Sequence, residues 1–471
     1  MRHHRALSII SRAARVQRVG VWRAETCLLL LLLGCGGKTA PIIERSHPTD
    51  PPDAPRDTTP DVRVSPPPLV TGLSMIREGA LEVGSDLGVQ VVRPPLRWID
   101  LEQTIERTGL TRAQARRSDV IEQFIADHDW SVYDELMAEI ARRGFIPFPI
   151  VGHGYANKLP LYGGVEAVPD VLGPEEYLAR QYVVTRATVE RYDGDGFLDA
   201  PIDVRVRYWQ VENELNQALL TAVLGWRAPR FTDALSSSWA DWGYVTDVLI
   251  TLVRAVKDAD PSALTAMNFH TDVHAGLNHF FGQPSWEESI AEWTEWIDIV
   301  GVDAYPNYYR ALPVRGDLVG ERVRLAAAQG RGKPVVVLET GYPTGPAERG
   351  FSEEQQAMFL EQAFETSQAE GALGILWFGS RTSDMHTVDI TREDLDALEV
   401  LAMSFEQGDG ATLIRFALEN EPYIRTQLRD VLLSVEEYWG VVRPDGSHKP
   451  AWNTFATYAA RAPADFDFGS N

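Results

Sequence analysis

The sequence predicts an α/β fold, a single (β/α)8 TIM barrel, and two observations carry that expectation. From Leu69 onward, short apolar runs alternate with helical patterns, the βαβα signature of a parallel sheet. No glycine-rich phosphate loop follows the first run, which argues against an open, doubly wound nucleotide-binding sheet. The expected strands are Leu69–Met75, Gln90–Pro94, Ile146–Val151, Val206–Val211, Leu264–Phe269, Ile297–Asp303, Pro334–Leu338 and Ala372–Trp377.

Helical periodicity fills the gaps. Tyr133–Arg143 places Leu136 and Ile140 on one face and stops at Gly144, a residue suited to a left-handed C-terminal position. Trp242–Lys257 sets Val245, Leu249, Leu252, Val253 and Val256 along one stripe. After the eighth run, residues 392–437 read as a helical insertion in the last βα loop. Pro444-Asp445-Gly446 is a turn, and a final outer helix follows it.

Composition bounds the rest. The chain has 471 residues, 44% of them hydrophobic and 24% charged, enough for a sizeable core. A net charge of -23 repels nucleic acid and anionic membrane surfaces and suits a neutral partner such as a carbohydrate. The only cysteines, Cys27 and Cys35, precede the folded region, so that region has no disulfide and no cysteine-held metal. No histidine pair at metal-ligand spacing stands out, and neither a metal nor a cofactor is expected. Asp193-Gly194-Asp195-Gly196-Phe197-Leu198-Asp199 invites a calcium reading. An EF-hand loop needs glycine at its sixth position and a carboxylate at its twelfth, and no register here supplies both, so a solvated turn is expected.

The first 34 residues read as an export signal: six arginines, then the apolar run Cys27–Leu33, too short to span a bilayer. Leu32-Leu33-Gly34-Cys35 resembles the bacterial lipobox, which implies lipidation at Cys35 and a membrane association through that anchor alone. Residues 35–68, rich in Pro and Asp with no apolar periodicity, read as a flexible tether. The barrel domain is expected over 69–462 and a tail over 463–471.

An active site in such a barrel lies at the C-terminal ends of the strands. Two carboxylates stand out there: Glu214 in Trp209-Gln210-Val211-Glu212-Asn213-Glu214, after strand four, and Glu339 in Val335-Val336-Val337-Leu338-Glu339, after strand seven. Cleaving a glycosidic bond takes two carboxyls, one protonated to release the leaving oxygen and one ionised. Strict alternation puts Glu212 on the same face as Glu214, so Glu212 is a rival for the acid/base role. His153 and His270 end strands three and five, where contact with a sugar hydroxyl and a purely structural role are equally open. Tyr155, Asn157, Trp226, Tyr308 and Trp286 could line outer subsites.

Asn213-Glu214 on strand four and Glu339 on strand seven resemble the clan A, or "4/7", glycoside hydrolases. The resemblance implies a retaining β-glycosidase with Glu214 as acid/base and Glu339 as nucleophile. It further implies that Arg93 supports the nucleophile, Asn213 bonds a sugar 2-hydroxyl, Tyr305 bonds the nucleophile, and Trp377 is a platform for the cleaved sugar. Leu215 departs from the proline that many members carry after the Asn-Glu pair, which bears on the family more than on catalysis. A non-catalytic carbohydrate-binding barrel and a transglycosylase are the rival expectations.

Overall fold

The computed structural model describes residues 67–469 except positions 75, 77–78, 103–105, 153–171, 224–229, 384–387 and 464. The proposed signal, Cys35, most of the tether, His153, Tyr155, Asn157 and Trp226 lie outside the described residues.

Parallel strands form one sheet: β1 (Val70–Ser74), β2 (Val91–Arg93), β3 (in two pieces, Ile146–Pro147 and Ile150–Val151), β4 (Tyr208–Val211), β5 (Leu264–His270), β6 (Ile299–Ala304), β7 (Val335–Thr340) and β8 (Gly374–Phe378). The sheet counts nine segments, and because two belong to β3 the strands number eight. Its two ends are the two halves of β3. The first half pairs with β2, Val91 opposite Ile146, and the second with β4, Val151 opposite Val211. Pro149 interrupts the strand because it has no N–H to give, yet its carbonyl accepts Gln210 N–H at 2.9 Å. Phe148 N–H reaches Val92 O at 2.9 Å on the other side. The ring is thereby closed, and the expected barrel is the observed one.

Side-chain alternation divides the strands into two faces. Val70, Val91, Phe148, Tyr208, Ala266, Ile299, Val336, Leu338 and Leu376 point inward as one apolar cluster. The residues between them, Val92, Trp209, Met267, Val300, Val337 and Ile375 among others, face the surrounding helices. A barrel this narrow leaves no room at some inward positions. A Cβ on Gly301 would stand 2.5 Å from Leu338 Cδ1 and 2.9 Å from Met267 O.

The observed helices Ser131–Arg142 and Trp242–Ala259 match the expected ones to within two residues at each end, and Gly144 takes φ 75° just past the first. The stretch after β8 is helical, with Arg392–Gln407 and Gly410–Tyr423 as its longest pieces. It packs over the loops that follow β4, β6 and β7. Glu421 accepts Phe231 N–H at 2.6 Å, Phe405 stacks on Tyr309 at 5.5 Å, and Arg349 donates to Val431 O at 3.2 Å. The last helix is Ala451–Ala459.

The expected tail is part of the core. Phe468, 1% exposed, closes the N-terminal mouth of the barrel against Phe148 and Tyr208, with ring centroids at 6.0 and 5.2 Å. Tyr208 OH donates to Asp467 Oδ1 at 3.0 Å. Truncating Phe468 removes an aromatic plug from a site that cannot collapse, because the barrel backbone fixes its rim. Phe468→Ala is therefore expected to cost about 3–5 kcal/mol, measured as a shift of the denaturation midpoint at unchanged m-value.

Candidate active site

The C-terminal mouth is lined by the topmost inward residues. Arg93 ends β2 and is 1% exposed. It donates through Nη1 to Glu339 Oε1 at 2.5 Å, through Nε to Gln210 Oε1 at 2.5 Å, and through Nη2 to Asn213 Oδ1 at 3.1 Å. One guanidinium thus ties β2, β4, the loop after β4 and β7 together. Glu339's other oxygen, Oε2, accepts the Tyr305 hydroxyl at 2.8 Å. Burial, and after it the Glu339 charge, hold the Tyr305 phenol well above its ordinary pKa, so it stays a donor.

Glu339 does not follow the strand, as its sequence position suggested, but lies within β7. Val302 pairs with Val337 and Asp303 with Glu339, so Leu338 is an extra residue. Strict alternation would turn Glu339 outward, since Val336 and Leu338 already point in. The β-bulge resets the phase and turns its carboxylate into the mouth.

Glu214 is placed by a turn. The chain leaves β4 with Glu212 at φ 56° and Glu214 at φ 47°, both left-handed and neither a glycine, at a cost of about 1 kcal/mol or more each. Alternation ends there, which separates the two acids. Glu212 is fully buried, and its Oε2 accepts Asn213 N–H at 2.6 Å. Glu214 turns to the mouth, its N–H on Asn268 Oδ1 at 3.0 Å and its Oε1 at 2.8 Å from His270 Nδ1. Asn216 clasps His270 at both backbone groups, with N–H to Oδ1 at 3.1 Å and Nδ2 to O at 3.0 Å. Burial alone would lower the His270 pKa. The Glu214 carboxylate overrides it by charge and hydrogen bond and pushes it up to about 9.

A third carboxylate was missed. Asp303, the last inward residue of β6, is fully buried. One oxygen each of Glu214, Asp303 and Glu339 fall within 4.8 Å of one another. Asp303 Oδ2 accepts a hydrogen bond from Asn268 Nδ2, which also donates to Asn213 Oδ1 at 2.8 Å, while Asp303 Oδ1 has no hydrogen-bond partner among the described residues. Burial and then the Glu339 charge raise its pKa well above the carboxylate range, against the pull of Arg93. Alternation could have found Asp303: it stands two residues before Tyr305 and inward by count. Such a trio has the donors for a cation, but Arg93 and protonated His270 already supply positive charge to it, which opposes a metal there.

Trp377 is not brought to the mouth. It occupies an outward position of β8, is fully buried, and lies against Phe359 and Phe455 of the outer helices at 6.2 and 6.5 Å. The inward neighbour Phe378, with Trp439 from the end of the helical insertion, makes the aromatic wall instead. Tyr305 meets Trp439 at 5.1 Å and Phe378 at 5.8 Å. Trp286, buried under Arg322, is likewise core rather than rim.

A (β/α)8 barrel with converging carboxylates at its C-terminal mouth is the class that fold and site define. No family model matches the sequence, and no curated protein does. Solved structures do share the fold. A GH5_18 protein from Bifidobacterium longum subsp. infantis aligns with TM-score 0.51 at 14% identity, over 85% of this chain and 80% of that one. A GH5_18 protein from Streptomyces cattleya in complex with GlcNAc aligns at 0.50 and 16%, over 86% and 82%. A glucosidase from Croceicoccus marinus aligns at 0.50 and 15%, over 84% and 67%. The chain spans 59% of the length of an exo-β-1,4-mannosidase from Opitutaceae bacterium strain TAV5. The fold is that of these glycoside hydrolase barrels.

The Arg93–Glu339 pair is buried on both sides, at 1% and 9% side-chain exposure. Removing one partner strands the other, so Arg93→Met is expected to cost about 3–5 kcal/mol. Chemical denaturation of Arg93→Met, Glu339→Gln and the double variant checks it: the double should lose clearly less than the sum.

Proposed function

We propose that this chain is a retaining glycoside hydrolase that cleaves β-glycosidic bonds of an oligo- or polysaccharide. The observation that carries the reading is the approach of Glu214 and Glu339 carboxylate oxygens to within 4.8 Å. Retaining enzymes hold their carboxyls roughly 5–5.5 Å apart, whereas inverting ones leave about 6.5–9.5 Å for a water. Environment assigns the roles. Glu339, against Arg93 and the Tyr305 hydroxyl, is the ionised nucleophile. Glu214, sharing a proton with His270, is the acid/base.

In the first step the one proton held between His270 and Glu214 passes through the Glu214 carboxyl to the glycosidic oxygen while a Glu339 oxygen attacks the anomeric carbon. The carbon–oxygen bond breaks and the alcohol leaves. In the second, Glu214 takes a proton from water, the hydroxide bonds the anomeric carbon, and the Glu339 carboxylate is released. Asn213 Oδ1 is engaged by Arg93 and Asn268, so its amide NH2 is the end that would meet a sugar 2-hydroxyl. The complex of a similarly folded Streptomyces cattleya protein with Manβ1-4GlcNAc supports a carbohydrate as ligand class. We further propose export with a lipid anchor at Cys35, which would present the barrel outside the membrane; metabolic labelling with a palmitate analogue in wild type and Cys35→Ala checks it.

Glu339→Ala and Glu214→Ala should each lower kcat by on the order of 10³-fold on an aryl β-glycoside or dyed polysaccharide. A 2-fluoro glycoside should label the peptide that contains Glu339. Unchanged turnover in both variants ends the proposal, and products carrying an added sugar acceptor would make the chain a transglycosylase.

The shared proton sets the pH profile. With His270 raised to about 9, the Glu214–His270 pair keeps one proton until pH rises through about 9, and the alkaline limb of kcat/KM belongs there. His270→Asn removes the group that titrates there, so the limb near pH 9 should disappear from the profile.

A further inference from the structure

We propose a calcium site in the turn that joins the helix Pro174–Tyr192 to β4, formed by Asp193, Asp195 and Asp199. The turn lies before β4, at the opposite end of that strand from Glu214. Left-handed Gly194, Gly196 and Leu198, at φ 71°, 92° and 61°, curl it so that one oxygen of each carboxylate lies within 4.8 Å of the others. Four backbone N–H groups explain part of this convergence. Asp193 Oδ1 accepts Asp195 N–H at 3.2 Å, Asp195 Oδ1 accepts Phe197 N–H at 2.7 Å, and Asp199 accepts Gly194 and Gly196 N–H at 3.2 and 2.7 Å.

They do not explain Asp193, which is no part of a solvated turn. It is 2% exposed, and its Oδ2 is buried with no hydrogen-bond partner among the described residues. Glu190, 4% exposed and one helical turn back, adds a fourth carboxyl. Arg186 donates to Glu190 at 3.0 Å and pairs that carboxyl, while the Arg205 guanidinium reaches Ser262 Oγ at 3.4 Å. The C-terminal end of the preceding helix adds partial negative charge to the turn. A buried carboxylate oxygen facing other carboxylates is stabilised by a hard cation with oxygen ligands. Calcium fits better than magnesium. Calcium takes six to eight oxygen ligands in a flexible geometry, whereas magnesium demands a near-ideal octahedron and keeps several of its waters. Asp193, Asp195 and Asp199 stand at first, third and seventh positions, but Leu198 and Val204 occupy the sixth and twelfth, where an EF-hand loop has glycine and glutamate.

The test is calorimetric titration of chelator-treated full-length protein with CaCl2 and with MgCl2, beside thermal unfolding in CaCl2 and in EDTA. One calcium should bind and raise Tm by roughly 3 °C, with a weaker magnesium response. Asp195→Asn, at an exposed position, and Asp199→Asn should each lose the calcium response, and Glu214→Gln with Glu339→Gln should keep it. Equal Tm in CaCl2 and EDTA with no binding heat overturns the proposal. So does a response that survives in both aspartate variants, or one lost only in the Glu214→Gln, Glu339→Gln protein, which would put the ion in the barrel mouth.

Discussion

The Arg93–Glu339 ion pair is the constraint around which the mouth of this barrel is organised. A guanidinium with 1% exposure has surrendered its hydration, and only full use of its donors offsets that loss. It finds acceptors in Glu339, Gln210 and Asn213, from two different strands and a turn. Each of those acceptors has to be aimed. Gln210 is inward by simple alternation, Glu339 by an inserted residue in β7, and Asn213 by a pair of left-handed residues on either side of it. The two local irregularities of the upper barrel are thus accounted for by one cation that must not be left unpaired. The same geometry turns Glu339 toward Glu214.

Three carboxyls within 4.8 Å cannot all carry charge without cost. The neighbours sort them. Arg93 and the Tyr305 hydroxyl favour charge on Glu339. Asp303, fully buried with one oxygen unpartnered among the described residues, is driven toward its neutral form. Glu214 and His270 hold a proton between them. Asp303 also reaches Asn213 through Asn268, so a change in its protonation would be felt at the amide that stands beside Glu214. The roles in the proposed reaction follow from these environments and not from the residue type, which is glutamate in both.

What was legible in the sequence is what period and composition encode. All the strands were found, because a buried parallel strand is a continuous β-branched run, and both carboxylates were found because charge directly beyond such a run is rare. The ends of strands were misplaced where a bulge or a proline intervenes: Glu339 proved to be within β7, and β3 is split at Pro149. Trp377 was misjudged because an aromatic residue at a strand end faces in or out according to a phase that a single position does not declare. Counting back to inward Leu376 and Gly374 would have pointed to Phe378. Trp439 could not be found, since it reaches the wall from a segment 62 residues beyond Trp377. Asp303 needed only the count, and Phe468 was dismissed because a short run at a chain end carries no periodicity.

The two ends of the barrel divide the demands placed on the fold. At the N-terminal mouth Phe468 fills an apolar floor, and Tyr208 and Asp467 seal it. That end can be optimised for burial alone. The C-terminal mouth concentrates buried charge, left-handed non-glycine residues and a buried acid whose pKa is raised, all of which oppose folding. β4 runs between the two regimes, with the acid-rich turn Asp193–Asp199 before it and Glu214 after it. A strand of four residues offers little independent resistance to displacement. What anchors its lower end therefore bears on how accurately its upper end presents Glu214. An ion in that turn would stabilise the barrel from the side where stability does not compete with chemistry.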